Sequence, residues 1–195
     1  YTGKLSRRSF PSSLCISINE EVVHGIPGRK KIKKGDLVSV DVGVKKNGFF
    51  GDGARSYKVG KVSNTAERLW KATKEALDMA IDRCELGNRL TDISNCIEKR
   101  AILDGFSVVK DFVGHGIGKK LHEDPQILNY GPPGQGPALK KGMALAIEPM
   151  LNEGGSGVEI LEDMWTVATT DRKLSCHFED TVVIAPDGPE ILTRL

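Results

Sequence analysis

Apolar and polar residues alternate along Leu37-Val38-Ser39-Val40-Asp41-Val42-Gly43-Val44. A period of two in a valine-rich run predicts a strand with one face turned to a core. Asn47-Gly48 supplies the pair that tolerates positive φ in a tight hairpin, so residues 49–59 should return antiparallel. From Asn64 the period lengthens, and Leu69, Thr73, Ala76, Leu77, Ala80, Ile81 and Cys84 fall on one helical face. Asn64 with Glu67 forms a capping-box pattern, and Gly87 is the expected stop. A second helix, capped by Thr91, should carry Ile93, Ile97 and Ala101 and end near Gly105. Strands are expected over 107–113, 143–147, 158–160, 165–169 and 176–184. Two helices among antiparallel strands predict an α/β chain of the α+β kind.

The chain also repeats itself. Val23-His24-Gly25-Ile26 is echoed by Gly114-His115-Gly116-Ile117, and each is followed by Lys-Lys-Gly, at Lys33-Lys34-Gly35 and Lys140-Lys141-Gly142. Eight residues beyond the first Lys stands an acid in an apolar strand, Asp41 in one copy and Glu148 in the other. An ordered pair at matched spacing predicts two related halves about a pseudo-two-fold axis, with the matching acids near the centre.

If Asn47-Gly48 is the turn, positions whose numbers sum to 95 face one another, so Asp52 lies opposite Gly43 and Asp41 opposite Ala54. Asp41 and Asp52 are then diagonal neighbours on one face, close enough to share a ligand. Such carboxylates repel and resist burial unless something neutralises them. Glu148 sits between Ile147 and Pro149, and Glu179 follows Phe178 in an apolar strand. Taken one at a time, a buried acid or His is more often a structural hydrogen-bonding group. Together, Asp41, Asp52, His115, Glu148 and Glu179 make an oxygen-rich set with one imidazole, which suits Mn, Fe, Co or Zn. Four carboxylates balance two divalent ions. A bridging hydroxide would leave one negative charge for a substrate's α-ammonium group, which favours cleavage at a free N-terminus.

Composition changes this picture little. The 195 residues are 39% hydrophobic and 28% charged, which excludes a fibrous or disordered chain. No apolar run reaches the length of a membrane span. The net charge of +2 is uneven: residues 1–34 hold eight Lys or Arg against Glu20 and Glu21, and the remainder is net acidic. A basic leader fits a solvated loop or contact with a ribonucleoprotein surface. The four cysteines (Cys15, Cys84, Cys96, Cys176) show no metal-binding or disulfide spacing.

The stretches Val23-His-Gly-Ile-Pro, Val40-Asp-Val, Gly51-Asp52, Gly114-His-Gly-Ile-Gly, His122-Glu-Asp-Pro, Ile147-Glu-Pro-Met and Phe178-Glu179-Asp-Thr resemble, in order, the pattern of methionine aminopeptidases. With only 25 residues between His122 and Glu148, there is no room for the insertion of the type II enzymes, so the chain resembles type I. The resemblance implies the pita-bread fold, with duplicated halves around a curved antiparallel sheet. One catalytic domain over 1–195 is expected, with the family's N-terminal helical segment absent before Tyr1.

It also implies two divalent ions bridged by Asp52 and Glu179, with Asp41 on one and His115 and Glu148 on the other. By the same resemblance Glu148 is the acid–base group, His122 stabilises the oxyanion, and His24 contacts the peptide and assists the leaving amine. Phe10 and Trp165 match positions that enclose the methionine side chain. The pattern departs at Lys4-Leu5-Ser6-Arg7-Arg8, where the family often has a Cys and a Tyr, and at Leu121, where Phe is common. The expected activity is removal of N-terminal methionine before a small second residue. The expected setting is the cytoplasm, for a monomer acting on nascent chains near the ribosome and away from membranes. The alternatives are an X-Pro aminopeptidase or prolidase of the same fold, and a non-catalytic pita-bread module that binds peptide, histone or RNA.

Overall fold

The computed structural model describes residues 9–194. In chain order its elements are β1 (Cys15–Ile18), β2 (Glu21–Val23), β3 (Leu37–Lys46), β4 (Phe49–Lys58), α1 (Asn64–Ile81), α2 (Leu90–Leu103), β5 (Ser107–Val108), β6 (Gly114–Gly116) and β7 (Glu123–Ile127). There follow β8 (Ala144–Ile147), β9 (Met150–Asn152), β10 (Val158–Ile160), β11 (Val167–Thr169), β12 (Ser175–His177), β13 (Asp180–Ala185) and β14 (Gly188–Ile191).

The hairpin register is the expected one: Asp41 pairs with Ala54 and Gly43 with Asp52. Asn47 and Gly48 take φ of 51° and 86°, as the tight turn requires. The hairpin continues through β1 into the sheet β1-β3-β4, and the largest sheet runs β14-β13-β8-β6-β7. All the strand pairs are antiparallel. The two helices cover this assembly. Leu69, Leu77, Ile93 and Ile97 are fully buried against Leu145, Ile147, Leu151 and Ile184, each such side chain contributing about 1.5–3 kcal/mol.

Several boundaries differ from those expected. The cap of α1 is Ser63, whose side chain accepts from Ala66 N–H, so Asn64 is already helical. The helix stops at Ile81, and Gly87, at φ 92°, turns the chain after a short connection. At α2 the cap position is Arg89, and the Asp92 carboxylate accepts its N–H at 2.8 Å. Thr91 instead exchanges hydrogen bonds with the backbone of Gln135, holding a distant loop. The segment 176–184 is two strands, broken at Phe178-Glu179, where the chain crosses to Ala54. The segment 107–113 is a two-residue strand followed by a bend.

The internal repeat has a physical counterpart. A Cβ on Gly25 would lie 2.1 Å from Ile16 O, and one on Gly116 would lie 2.2 Å from Asp124 O. The glycine after each repeated histidine thus lies against a neighbouring segment too closely for any side chain.

Candidate metal centre and active site

Three adjacent strands and the hairpin deliver the acids. His115 is the middle residue of β6, paired with Ala146 of β8. Asp180 pairs with Ile147, and one step beyond that pair lie Glu179 and Glu148. From the other side, Ala54 and Glu179 exchange backbone hydrogen bonds of 3.2 and 2.9 Å, which brings Asp52 in. Thr181 Oγ1 accepts the Asp52 N–H at 2.9 Å and donates to the Asp52 carbonyl at 2.8 Å. Ligand atoms of Asp52, His115 and Glu179 all lie within 4.8 Å of one another. Glu148 Oε1 is 3.4 Å from His115 Nε2. Asp41 is close enough to Asp52 for each to affect the other's ionisation, and it lines the same cleft. The structure therefore gathers all five residues that the sequence pattern singled out.

Burial dominates the electrostatics. It raises Asp41 to about 7, with repulsion from Asp52 adding to it, and raises Asp52 to about 6. Glu148 and Glu179 are pushed well above the usual carboxylate range by burial, reinforced by the other acids. The same burial lowers His115, so its approaches to Asp52 and Glu148 are those of a neutral ring, not ion pairs. His115 Nδ1 lies 2.9 Å from Gly116 O, a bond that places the proton on Nδ1 and leaves the Nε2 lone pair facing the acids. Glu179 Oε1 is buried with no hydrogen-bond partner among the described residues. A buried orphan oxygen, mutually repelling carboxylates and an imidazole lone pair form a donor set that fits divalent transition cations.

These groups open into a cleft of about 1120 Å³, whose walls include His24, His122, Phe112, Trp165 and Val167. His122 is exposed, its ring centroid 4.3 Å from that of His115. His24 holds φ of 58° and packs edge-on to Phe112 at 5.7 Å. Phe10 and Trp165 meet edge to face at 5.2 Å. Leu121 lies against Gly43, its Cδ1 3.3 Å from where a Cβ would stand, beside Asp52. The departing stretch Lys4 to Arg8 lies outside the described residues.

The family model for metallopeptidase family M24 matches residues 1–186. The chain belongs to metallopeptidase family M24. Within that family it is 56% identical to a methionine aminopeptidase of Clostridium perfringens, over 95% of this chain and 75% of that one. It is 50% identical to methionine aminopeptidase 1 of Bacillus subtilis over the same shares. A crystal structure of the Thermotoga maritima methionine aminopeptidase superposes with a TM-score of 0.92 at 50% identity, covering 93% of this chain and 74% of that one. The prolidase of Pyrococcus horikoshii matches at a TM-score of 0.75 but 22% identity, covering 94% of this chain and 48% of that one, a likeness of fold alone. The pita-bread fold follows from the structural match, metal dependence from membership in M24, and aminopeptidase action from the half-identical methionine aminopeptidases.

Sequence reasoning missed two groups, one lining the cleft and one holding a donor from behind. His177 lines the cleft, and its signal was only its place two residues before Glu179. Thr181, which holds Asp52, looks in sequence like any strand threonine.

Proposed function

We propose that the chain removes the N-terminal methionine of peptides and nascent proteins whose second residue is small, using two divalent ions held by Asp41, Asp52, His115, Glu148 and Glu179. The observation that carries this reading is the convergence of four carboxylates and a neutral imidazole in one cleft, within a chain half-identical to methionine aminopeptidases. In this reading the carboxylates of Asp41, Asp52, Glu148 and Glu179 and the Nε2 of His115 would hold the ions. The ions supply Lewis acidity, which acidifies water and polarises a carbonyl.

The protein's own groups do the rest. Glu148, already proton-avid through burial, takes the nucleophile's proton and passes it to the leaving amine. His122, at the mouth beside His115, donates to the oxygen on which charge develops. His24 meets the peptide beyond the scissile bond and steadies the departing amine. Phe10 and Trp165 form an apolar wall suited to an unbranched thioether. Among the described residues no helix is long and apolar enough to cross a membrane. The exposed Arg29, Lys31, Lys33 and Lys34 suit docking on the ribosome of a monomer that meets nascent chains in the cytoplasm.

The test is release of Met from Met-Ala-Ser, with and without added Mn, Fe, Co or Zn, beside an X-Pro peptide. Metal-dependent cleavage of Met-Ala-Ser is expected. Cleavage of the X-Pro peptide alone would transfer the chain to the prolidase reading, and no cleavage with any metal would leave a binding module.

A further inference from the structure

The chain has four histidines, and all four line the same cleft. Three have parts in the proposed reaction, and His177 has none. It is 2% exposed, and its Nε2 finds no hydrogen-bond partner among the described residues. That nitrogen lies 3.9 Å from Glu148 Oε2, while the other oxygen of the same carboxylate faces His115.

The backbone of His177 is fixed. Its N–H donates to Ser56 Oγ at 3.2 Å, its carbonyl accepts from the same hydroxyl at 2.8 Å, and it pairs with Met150 in the sheet. A neutral imidazole carries a single N–H, on one of its two ring nitrogens. A lone pair aimed at a carboxylate would repel it, whereas an N–H aimed there is attracted. At 3.9 Å the gap exceeds a hydrogen bond, so the bond forms only if the Glu148 carboxylate shifts towards the ring.

We propose that His177 is a positioning residue for Glu148: its Nε2–H donates to Oε2 and holds the carboxylate with Oε1 turned to the donor cluster. This rests on the reading that Glu148 moves the proton. A fixed donor on one oxygen makes the other the basic one at a set place, which matters for a group that must collect a proton at one atom and deliver it at another.

The test uses His177→Leu, which keeps bulk without a donor, and His177→Gln, which keeps an N–H of similar reach. With Met-Ala-Ser and saturating metal, His177→Leu should lower kcat about tenfold to a hundredfold while KM stays within about twofold, and His177→Gln should recover most of the loss. Wild-type kcat in the Leu variant, equal losses in both variants, or a rise in KM with kcat kept would each overturn the proposal. So would loss of Mn2+ uptake, measured with the metal alone, in the Leu variant.

Nitrogen-15 spectra of the imidazoles read the same bond without turnover. Nε2 of His177 should be protonated, and its signal should move in Glu148→Gln; an unprotonated Nε2 overturns the proposal even if the Leu variant fails to fold. A chain that releases no Met with any metal defeats the functional reading instead, and the spectra still decide whether His177 holds Glu148.

Discussion

Glu179 and Ala54 exchange both backbone hydrogen bonds, at 2.9 and 3.2 Å, across the break in the strand expected over 176–184. With the two Thr181–Asp52 bonds, this pair joins the β3–β4 hairpin to the large sheet. Arg55 reinforces it by donating to the carbonyls of both residues and by pairing with the buried Asp180, which also holds Arg194. Asp52 and Glu179 meet because the two sheets are tied here.

Thr181 tests that tie. Thr181→Val removes both bonds to the Asp52 backbone and leaves a buried N–H and a buried carbonyl unpaired. The variant should unfold with a stability lower by about 1–3 kcal/mol in a urea titration. It should also bind metal about tenfold to a hundredfold more weakly, because Asp52 loses its anchor.

Crowded carboxylates strain the metal-free protein, and cations relieve them. Asp52→Asn should therefore raise the melting temperature of the metal-free chain while removing metal-dependent turnover. Added metal should stabilise the wild type by about 2.7 kcal/mol at a hundredfold excess over its dissociation constant. For Asp52→Asn the increment should be smaller. A variant that melts lower without metal than the wild type does would show that these acids are not repelling one another.

Metal-free stability should also depend on pH in a defined window. Burial sets Asp41 at about 7 and Asp52 at about 6, against 3.8 for the free group, so the folded chain keeps protons that the unfolded chain has shed. Stability from these acids is present at low pH and lost as pH rises through the folded values. Burial lowers His24 to about 4 and His177 to about 3, and these act in the opposite sense, but only below their unfolded value of 6.5. From there to about pH 8 Asp41, with Glu148 and Glu179 raised further, outweighs what remains of the imidazole titration, so the melting temperature should fall, and Asp41→Asn should flatten the fall. A rise across that window in the metal-free wild type would contradict the assignment.

The hairpin was legible because Asn-Gly sets the register, and the register alone put Asp41 beside Asp52. Glu148 was legible through the repeat. What escaped was decided by tertiary contact. Ser63 outcompetes Asn64 as a cap although both are good cap residues, and the break at Phe178-Glu179 answers to Ala54, 125 residues away. His177 reads in sequence as one more strand residue, and only the place of its ring nitrogen near Glu148 sets it apart.

The repeated glycines set a further stability test. Gly25→Ala and Gly116→Ala each force a methyl onto a carbonyl oxygen at 2.1 and 2.2 Å. Each should cost about 3 kcal/mol, the upper range for overpacking, in thermal or urea unfolding. A silent substitution at either position would mean that the neighbouring segments part easily there.

His122 should separate catalysis from metal holding. His122→Ala should lower kcat by about a hundredfold to a thousandfold, the usual loss for one oxyanion donor, with metal content unchanged by elemental analysis. Loss of metal along with activity would move His122 into the ligand set.

The donors divide unevenly along the chain, Asp41 and Asp52 before the turn at Gly87 and His115, Glu148 and Glu179 after it. A chain severed at that turn would leave two acids on one fragment and three donors on the other, and neither fragment would hold the full set. Catalysis would then report reassembly of the two fragments.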